Sequence, residues 1–175
     1  MGIQNRIIVS GVIKFDLENK TKKHKLQSSW KKTAFLLIDS DICEYYSWFI
    51  NKRYNLTLNK PLRNAHISFI NESNKELTNN GKISLNEANE LWSKVKKKWD
   101  NKKIEIVLDV TPISNGQHWW LNVPNEERVQ LQEIRNELGL GRPYYGIHMS
   151  LGYPNSKQID HSNYIADMIR NGYEK

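Results

Sequence analysis

The hydrophobic positions along the chain follow two periods, and the points where the period changes divide it into elements. Arg6–Phe15 is rich in β-branched residues and predicts a strand. From about Asp16 to Lys32 the chain is polar and lysine-rich, as in a loop or a short exposed hairpin arm. Thr33–Ile38 is a continuous apolar run, expected of a strand buried on both faces. Asp41 with Glu44 three residues on forms a capping box for a helix to about Tyr54, with Ile42, Tyr45 and Phe49 on one face. Ser84 and Glu87 form a second box. The helix behind it gathers Leu85, Ala88, Leu91, Trp92, Val95 and Trp99 to one side. Ile104, Ile106, Leu108 and Val110 alternate as in a strand, and Gln117–Val123 is expected beside it across a turn at Ser114-Asn115-Gly116. A third helix is expected from an Asn125 cap to Leu138, stopped by Gly139. A strand around Ile147–Leu151 and a short terminal helix carrying Ile165, Met168 and Ile169 close the chain. Strand pairs of hairpin type, without regular βαβ units, predict an α+β fold with antiparallel sheet in one domain spanning 1–175.

One pattern occurs twice. Ala65-His66-Ile67-Ser68-Phe69 and Ile147-His148-Met149-Ser150-Leu151 share the form apolar, His, apolar, Ser, apolar, 82 positions apart. Such spacing fits an internal duplication or a two-lobed fold with a central cleft. In a strand, residues two apart share a face, so His66 projects with Ser68 and His148 with Ser150 while their neighbours anchor a core. Two imidazoles and two hydroxyls in one cleft suit attack on a phosphodiester. One imidazole accepts the nucleophile's proton, the other protonates the leaving oxygen, and the hydroxyls support charge on the non-bridging oxygens. Such a mechanism needs no metal or cofactor.

Composition narrows the setting. The chain has 175 residues and a formal charge of +7, from 26 Lys and Arg against 19 Asp and Glu, which favours phosphate-bearing partners. No apolar run reaches the roughly 20 residues that span a bilayer, so no membrane partner is expected. The first residues lack the apolar core of a secretory signal. Cys43 is the single cysteine, which points to a reducing, cytoplasmic compartment; at the start of a helix it reads as structural rather than nucleophilic.

The two motifs, AHISF and IHMSLGY, resemble the paired His-x-Ser/Thr signatures of the two-histidine (2H) phosphoesterase superfamily, over most of the chain. The segments Trp119-Trp120-Leu121, Leu138-Gly139-Leu140-Gly141 and Tyr145–Gly152 are similar to small phage-type members. The resemblance implies a bilobal pair of antiparallel sheets, flanked by helices, with the motifs facing across a groove. It implies His66 and His148 as the catalytic pair and Ser68 and Ser150 as phosphate holders. Both latter positions carry Ser, where Thr is frequent in the family. The superfamily includes RNA 2′,3′-cyclic phosphodiesterases, 2′,5′-oligoadenylate phosphodiesterases and phage nucleases that destroy cyclic oligonucleotide immune signals.

Other residues extend the site. Tyr144, Tyr145 and Tyr153 flank the second motif, and aromatic faces beside a basic cleft can stack nucleobases. Trp119 and Trp120 are adjacent, so alternation sends one of them to the core. Arg142, in the loop before the motif, is placed for a bidentate phosphate contact. His118 reads as either exposed or an ancillary cleft residue, and His24 and His161 as solvated. The lysine clusters at 20–32 and 94–103 read chiefly as solvated surface. Three functions stay open at this point: cleavage of a small cyclic or 2′,5′- or 3′,5′-linked oligonucleotide, processing of RNA ends, and nucleotide or RNA binding without turnover.

Overall fold

A computed structural model describes residues 5–17, 31–39, 41–63, 65–144 and 146–155. Within these, eight strands form one antiparallel sheet: β1 (Arg6–Phe15), β2 (Lys31–Ile38), β3 (Leu58–Asn59), β4 (His66–Ser73), β5 (Lys103–Asp109), β6 (Ile113–Ser114), β7 (Trp119–Asn122) and β8 (His148–Pro154). The order is β5-β1-β2-β4-β8-β7-β6, with β3 paired to β8 off this path. The helices are α1 (Asp41–Tyr54), α2 (Asn74–Leu77), α3 (Leu85–Trp99) and α4 (Val129–Glu137), with a 3₁₀ turn at Asn125–Glu127 before α4. The fold is therefore α+β. Where the resemblance implies two sheets, the described strands make one. The expected terminal helix, Tyr145, His24 and His161 lie outside the described residues. No helix among those described is long and apolar enough to cross a membrane.

Several expectations change in contact with the sheet. On α1 the buried stripe is Cys43, Tyr46 and Ile50, while Tyr45 is exposed; the helix is apolar around 42–50, so periodicity alone does not choose its inner face. The Tyr46 hydroxyl fixes the choice by donating to the Val110 carbonyl at 2.7 Å. Asp41 is the first helical residue, and Glu44 pairs with Lys60 at 2.9 Å instead of closing a capping box. The Ser84–Glu87 box does form, with both reciprocal bonds present. On α3 Leu85 is exposed, whereas Ala88, Trp92, Val95 and Trp99 are buried. The strand at 104–110 is not next to 117–123. β1 takes β5 along its length, from Arg6–Asp109 to Val12–Lys103, and the short β6 forms the hairpin with β7. The third helix starts later than the Asn125 cap, at Val129. It ends as expected at Gly139 (φ 70°), whose N–H donates to Asn136 while that of Leu140 reaches Arg135, a Schellman closure.

The centre of the sheet carries both motifs. β4 and β8 are adjacent and pair Ile67 with Met149, both wholly buried. Each strand then departs from regular pairing one residue after its serine. On β4 the partners step from Ser68–Phe35 to Ile70–Ala34, leaving Phe69 as a bulge. On β8 they step from Ser150–Trp120 to Gly152–Trp119, leaving Leu151 as a bulge. Phe69 and Leu151 are themselves 82 positions apart, so the repeat visible in the motifs extends to backbone irregularity.

The bulges reverse the alternation. Phe69 and Ile70 are both buried, Asn71 falls on the face of His66 and Ser68, and Glu72 turns inward. Inside, Arg135 of α4 meets Glu72 at 2.7 Å, donates to the bulged Phe69 carbonyl at 2.8 Å, and donates through Nε to the Gly141 carbonyl at 2.9 Å. A bulge frees a backbone carbonyl from its ladder, and a buried carbonyl needs a donor. The guanidinium supplies one and ties β4 to the loop that leads into β8. After the second bulge, Gly152 (φ 151°) lies so close to β3 that a Cβ there would stand 2.6 Å from the Asn59 carbonyl oxygen.

Candidate active site

The antiparallel register that pairs Ile67 with Met149 sets His66 across from Ser150 and Ser68 across from His148. Because Ile67 and Met149 point into the core, the four polar side chains share the opposite face. They line, with Asn71 and Tyr144, a cleft of about 250 Å³. Each histidine lies against an aromatic ring from the flanking strand: Phe35 meets His66 edge-on at 5.6 Å, and Trp120 tilts against His148 at 5.8 Å. Phe35 pairs with Ser68 and Trp120 with Ser150, so the two rings occupy equivalent positions in the two halves.

His148 is oriented by the backbone. Its Nδ1 lies 2.7 Å from the Gly146 carbonyl oxygen. A carbonyl only accepts, so Nδ1 carries the proton of the neutral ring and Nε2 keeps the lone pair. Burial lowers its pKa below the ordinary histidine value, the Arg128 charge lowers it further, and the Gly146 bond partly opposes both.

The halves differ at His118, which sequence reasoning left undecided. Its Nε2 is 3.0 Å from Ser150 Oγ. Its ring stacks with Tyr153 at 4.9 Å and with Trp120 at 5.3 Å, and meets His148 edge-on at 5.3 Å. Burial, followed by the nearby His148 and His66, pushes it down to about 4, so it is neutral near pH 7. His118 precedes β7 at the position that continues the register to Tyr153. It lies two residues before Trp120 and so shares its face, and the β8 bulge sets Tyr153 opposite it.

The remaining candidates separate. Trp119 is wholly buried, and Trp120 is the cleft-side partner of the pair. Tyr153 lies on the cleft face but stacks on His118, which occupies one face of its ring. Tyr144 is 85% exposed and lines the cleft mouth. Arg142 does not line the cleft; it lines a neighbouring cavity with Arg128. The Cys43 thiol donates to the Ser150 carbonyl at 3.5 Å, and burial pushes it up to about 11, which suits packing and not nucleophilic attack. Among the described residues, no group of three or more His, Cys, Asp or Glu side chains is arranged to hold a metal ion. No protein-family model, curated protein or solved structure matches the chain.

Proposed function

We propose that the chain is a two-histidine phosphoesterase that cleaves an RNA-type phosphodiester in a small oligonucleotide without a metal ion. The observation that carries this reading is the pairing of Ile67 with Met149, which fixes two histidines and two serines as a near-symmetric quartet on one face. A quartet of this kind can run an in-line displacement from either side. One imidazole takes the proton of the attacking hydroxyl, from a ribose 2′-OH or water, as the new P–O bond forms. The bond to the leaving oxygen breaks, and the other histidine, as imidazolium, protonates that oxygen. Ser68 and Ser150 donate to the non-bridging oxygens where negative charge gathers. The Nδ1 bond of His148 leaves Nε2 for proton transfer, and its lowered pKa favours the role of base. A neutral His118 with its proton on Nε2 donates to Ser150 Oγ and leaves the serine's own hydrogen for phosphate. Tyr144 stands at the mouth, where a nucleobase can stack.

The bilobal division that belongs to this reading falls between β4 and β8. The strands β5-β1-β2-β4 form one half, and β8-β7-β6 with β3 the other. The test is direct. The purified protein is incubated in excess EDTA with cyclic di-, tri- and tetranucleotides, 2′,5′-oligoadenylate and an RNA carrying a 2′,3′-cyclic phosphate. Cleavage of at least one is expected. Activity that vanishes with EDTA and returns with a divalent ion would overturn the metal-free mechanism, and binding without turnover across the panel would leave a nucleotide-binding module.

A further inference from the structure

We infer that the cavity between α4 and the Arg142–Pro143 segment is a second nucleotide subsite, holding the phosphate and base next to the scissile linkage. This deepens the phosphoesterase reading and rests on it for the identity of the reacting bond. The histidine cleft, at about 250 Å³, is smaller than the ~300–1,000 Å³ of most small-ligand pockets, whereas the adjoining cavity measures about 560 Å³. The two share one stretch of chain. Arg142, Pro143 and Ile147 line the larger cavity, and Tyr144 and His148 line the cleft. Arg128, on the wall of the larger cavity, lies near enough to His148 for its charge to act on the imidazole.

The lining chemistry is that of a nucleotide site. Arg128 is half-buried, and burial lowers its pKa. Its Nε donates to the Val123 carbonyl at 2.7 Å, which anchors the guanidinium and leaves both terminal nitrogens for another acceptor. Arg142 is exposed and makes no hydrogen bond or ion pair among the described residues. Two arginines of this kind match a phosphate in geometry and charge. The polar groups beside them are of a different type. Gln132 donates to Asn136 at 2.8 Å, so the two amides are held together, and Glu133 adds a carboxylate. Amides and a carboxylate read the edge of a base or a ribose hydroxyl, and neither is needed for a bare anion. Val129, which is exposed, and Pro143 give the apolar wall on which a base can lie. The ligand class is therefore an oligonucleotide that continues at least one unit beyond the cleaved bond.

The test compares chain lengths with probes that cannot supply a 2′-hydroxyl. Binding of 2′-O-methyl oligoadenylates of two and five units is measured by fluorescence titration for the wild type, Arg128→Gln and Arg142→Ala. The five-unit probe is expected to bind the wild type more tightly than the two-unit probe. Each substitution is expected to weaken the longer probe about tenfold, the worth of one charge-assisted hydrogen bond, and the shorter one much less. Equal weakening of both lengths, or no length dependence in the wild type, would overturn the subsite. Cleavage of the substrate panel is scored separately. Length-graded binding without cleavage removes the phosphoesterase reading and keeps the subsite, and cleavage without length-graded binding does the reverse.

Discussion

His118 Nε2 lies 3.0 Å from Ser150 Oγ, and among the described residues Ser68 has no such bond: the equivalent position on β2 is Thr33. The local two-fold relation of His66 and Ser68 to His148 and Ser150 is therefore broken at the serine. A fixed donor on Ser150 holds its hydroxyl in one orientation before substrate arrives, which is the condition for strong oxyanion support.

His118→Phe keeps a flat ring between Tyr153 and Trp120 and removes the nitrogen. It should lower kcat/KM about ten- to a hundredfold, and Ser150→Ala should cost a similar factor. If His118 acts through Ser150, the double variant falls no further than the worse single one. Additive losses in this cycle, or full activity for His118→Phe, would show that the hydrogen bond does not serve catalysis.

Replacing either His66 or His148 by alanine should abolish detectable turnover, because each proton transfer is commonly worth about 10²–10⁴-fold. Ser68→Ala and Ser150→Ala should leave a measurable remnant. Circular dichroism confirms that each variant is folded. Near wild-type rates for either histidine variant would remove the two-histidine mechanism.

How much of this was legible in the sequence depends on the range of the interaction. The 82-residue repeat and strand parity sufficed to put His66 with Ser68 and His148 with Ser150, since both follow from local geometry. The Ser84–Glu87 box and the Gly139 stop were equally readable, being contacts within a few residues. The bulges at Phe69 and Leu151 were not. They arise where β4 meets β2 and β8 meets β7, and they decide that Asn71 and Tyr153 fall on the face of the quartet. Which cavity Arg142 lines was not legible for a related reason: proximity in sequence to His148 said nothing about which side of the Arg142–His148 segment its side chain would take.

The Arg135–Glu72 pair is a second consequence of the β4 bulge, with both side chains almost wholly buried. Arg135→Met strands a buried carboxylate and two backbone carbonyls, and should cost about 3–5 kcal/mol in urea unfolding. Arg135→Met with Glu72→Leu should recover part of that, since the unpaired charge is gone while the Phe69 and Gly141 carbonyls still lack their donor. A loss below about 1 kcal/mol for the single variant would mean that water or another donor replaces the guanidinium.

Acid should destabilise the fold through His118. Its folded pKa of about 4 lies below the unfolded value of about 6.5, so the unfolded chain binds this proton more readily. The contribution is complete above about pH 6.5 and is lost as pH falls toward 4. His148, also lowered, acts in the same direction. Midpoints of thermal unfolding at pH 7.5 and 5 should differ more in the wild type than in His118→Phe. An equal difference in both proteins would show that His118 is not held neutral.

Activity should follow a bell-shaped pH profile, with its acidic limb displaced below the ordinary histidine value. Turnover needs one imidazole neutral and the other charged, so only an intermediate protonation state of the pair is competent. His148 has its Nδ1 proton committed to Gly146, and both burial and Arg128 oppose charging it. It therefore remains a base to lower pH than a solvated histidine, and His66 is left as the acid. His118, pushed down to about 4, stays neutral above about pH 5 and does not contribute a limb there. The two limbs belong to the coupled pair and not to single residues. Measuring kcat/KM from about pH 5 to 9 at fixed ionic strength reads both. An acidic limb above about 6.5 would reverse the assignment of base and acid, and a rate that climbs steadily to pH 9 would show that no imidazolium acid takes part.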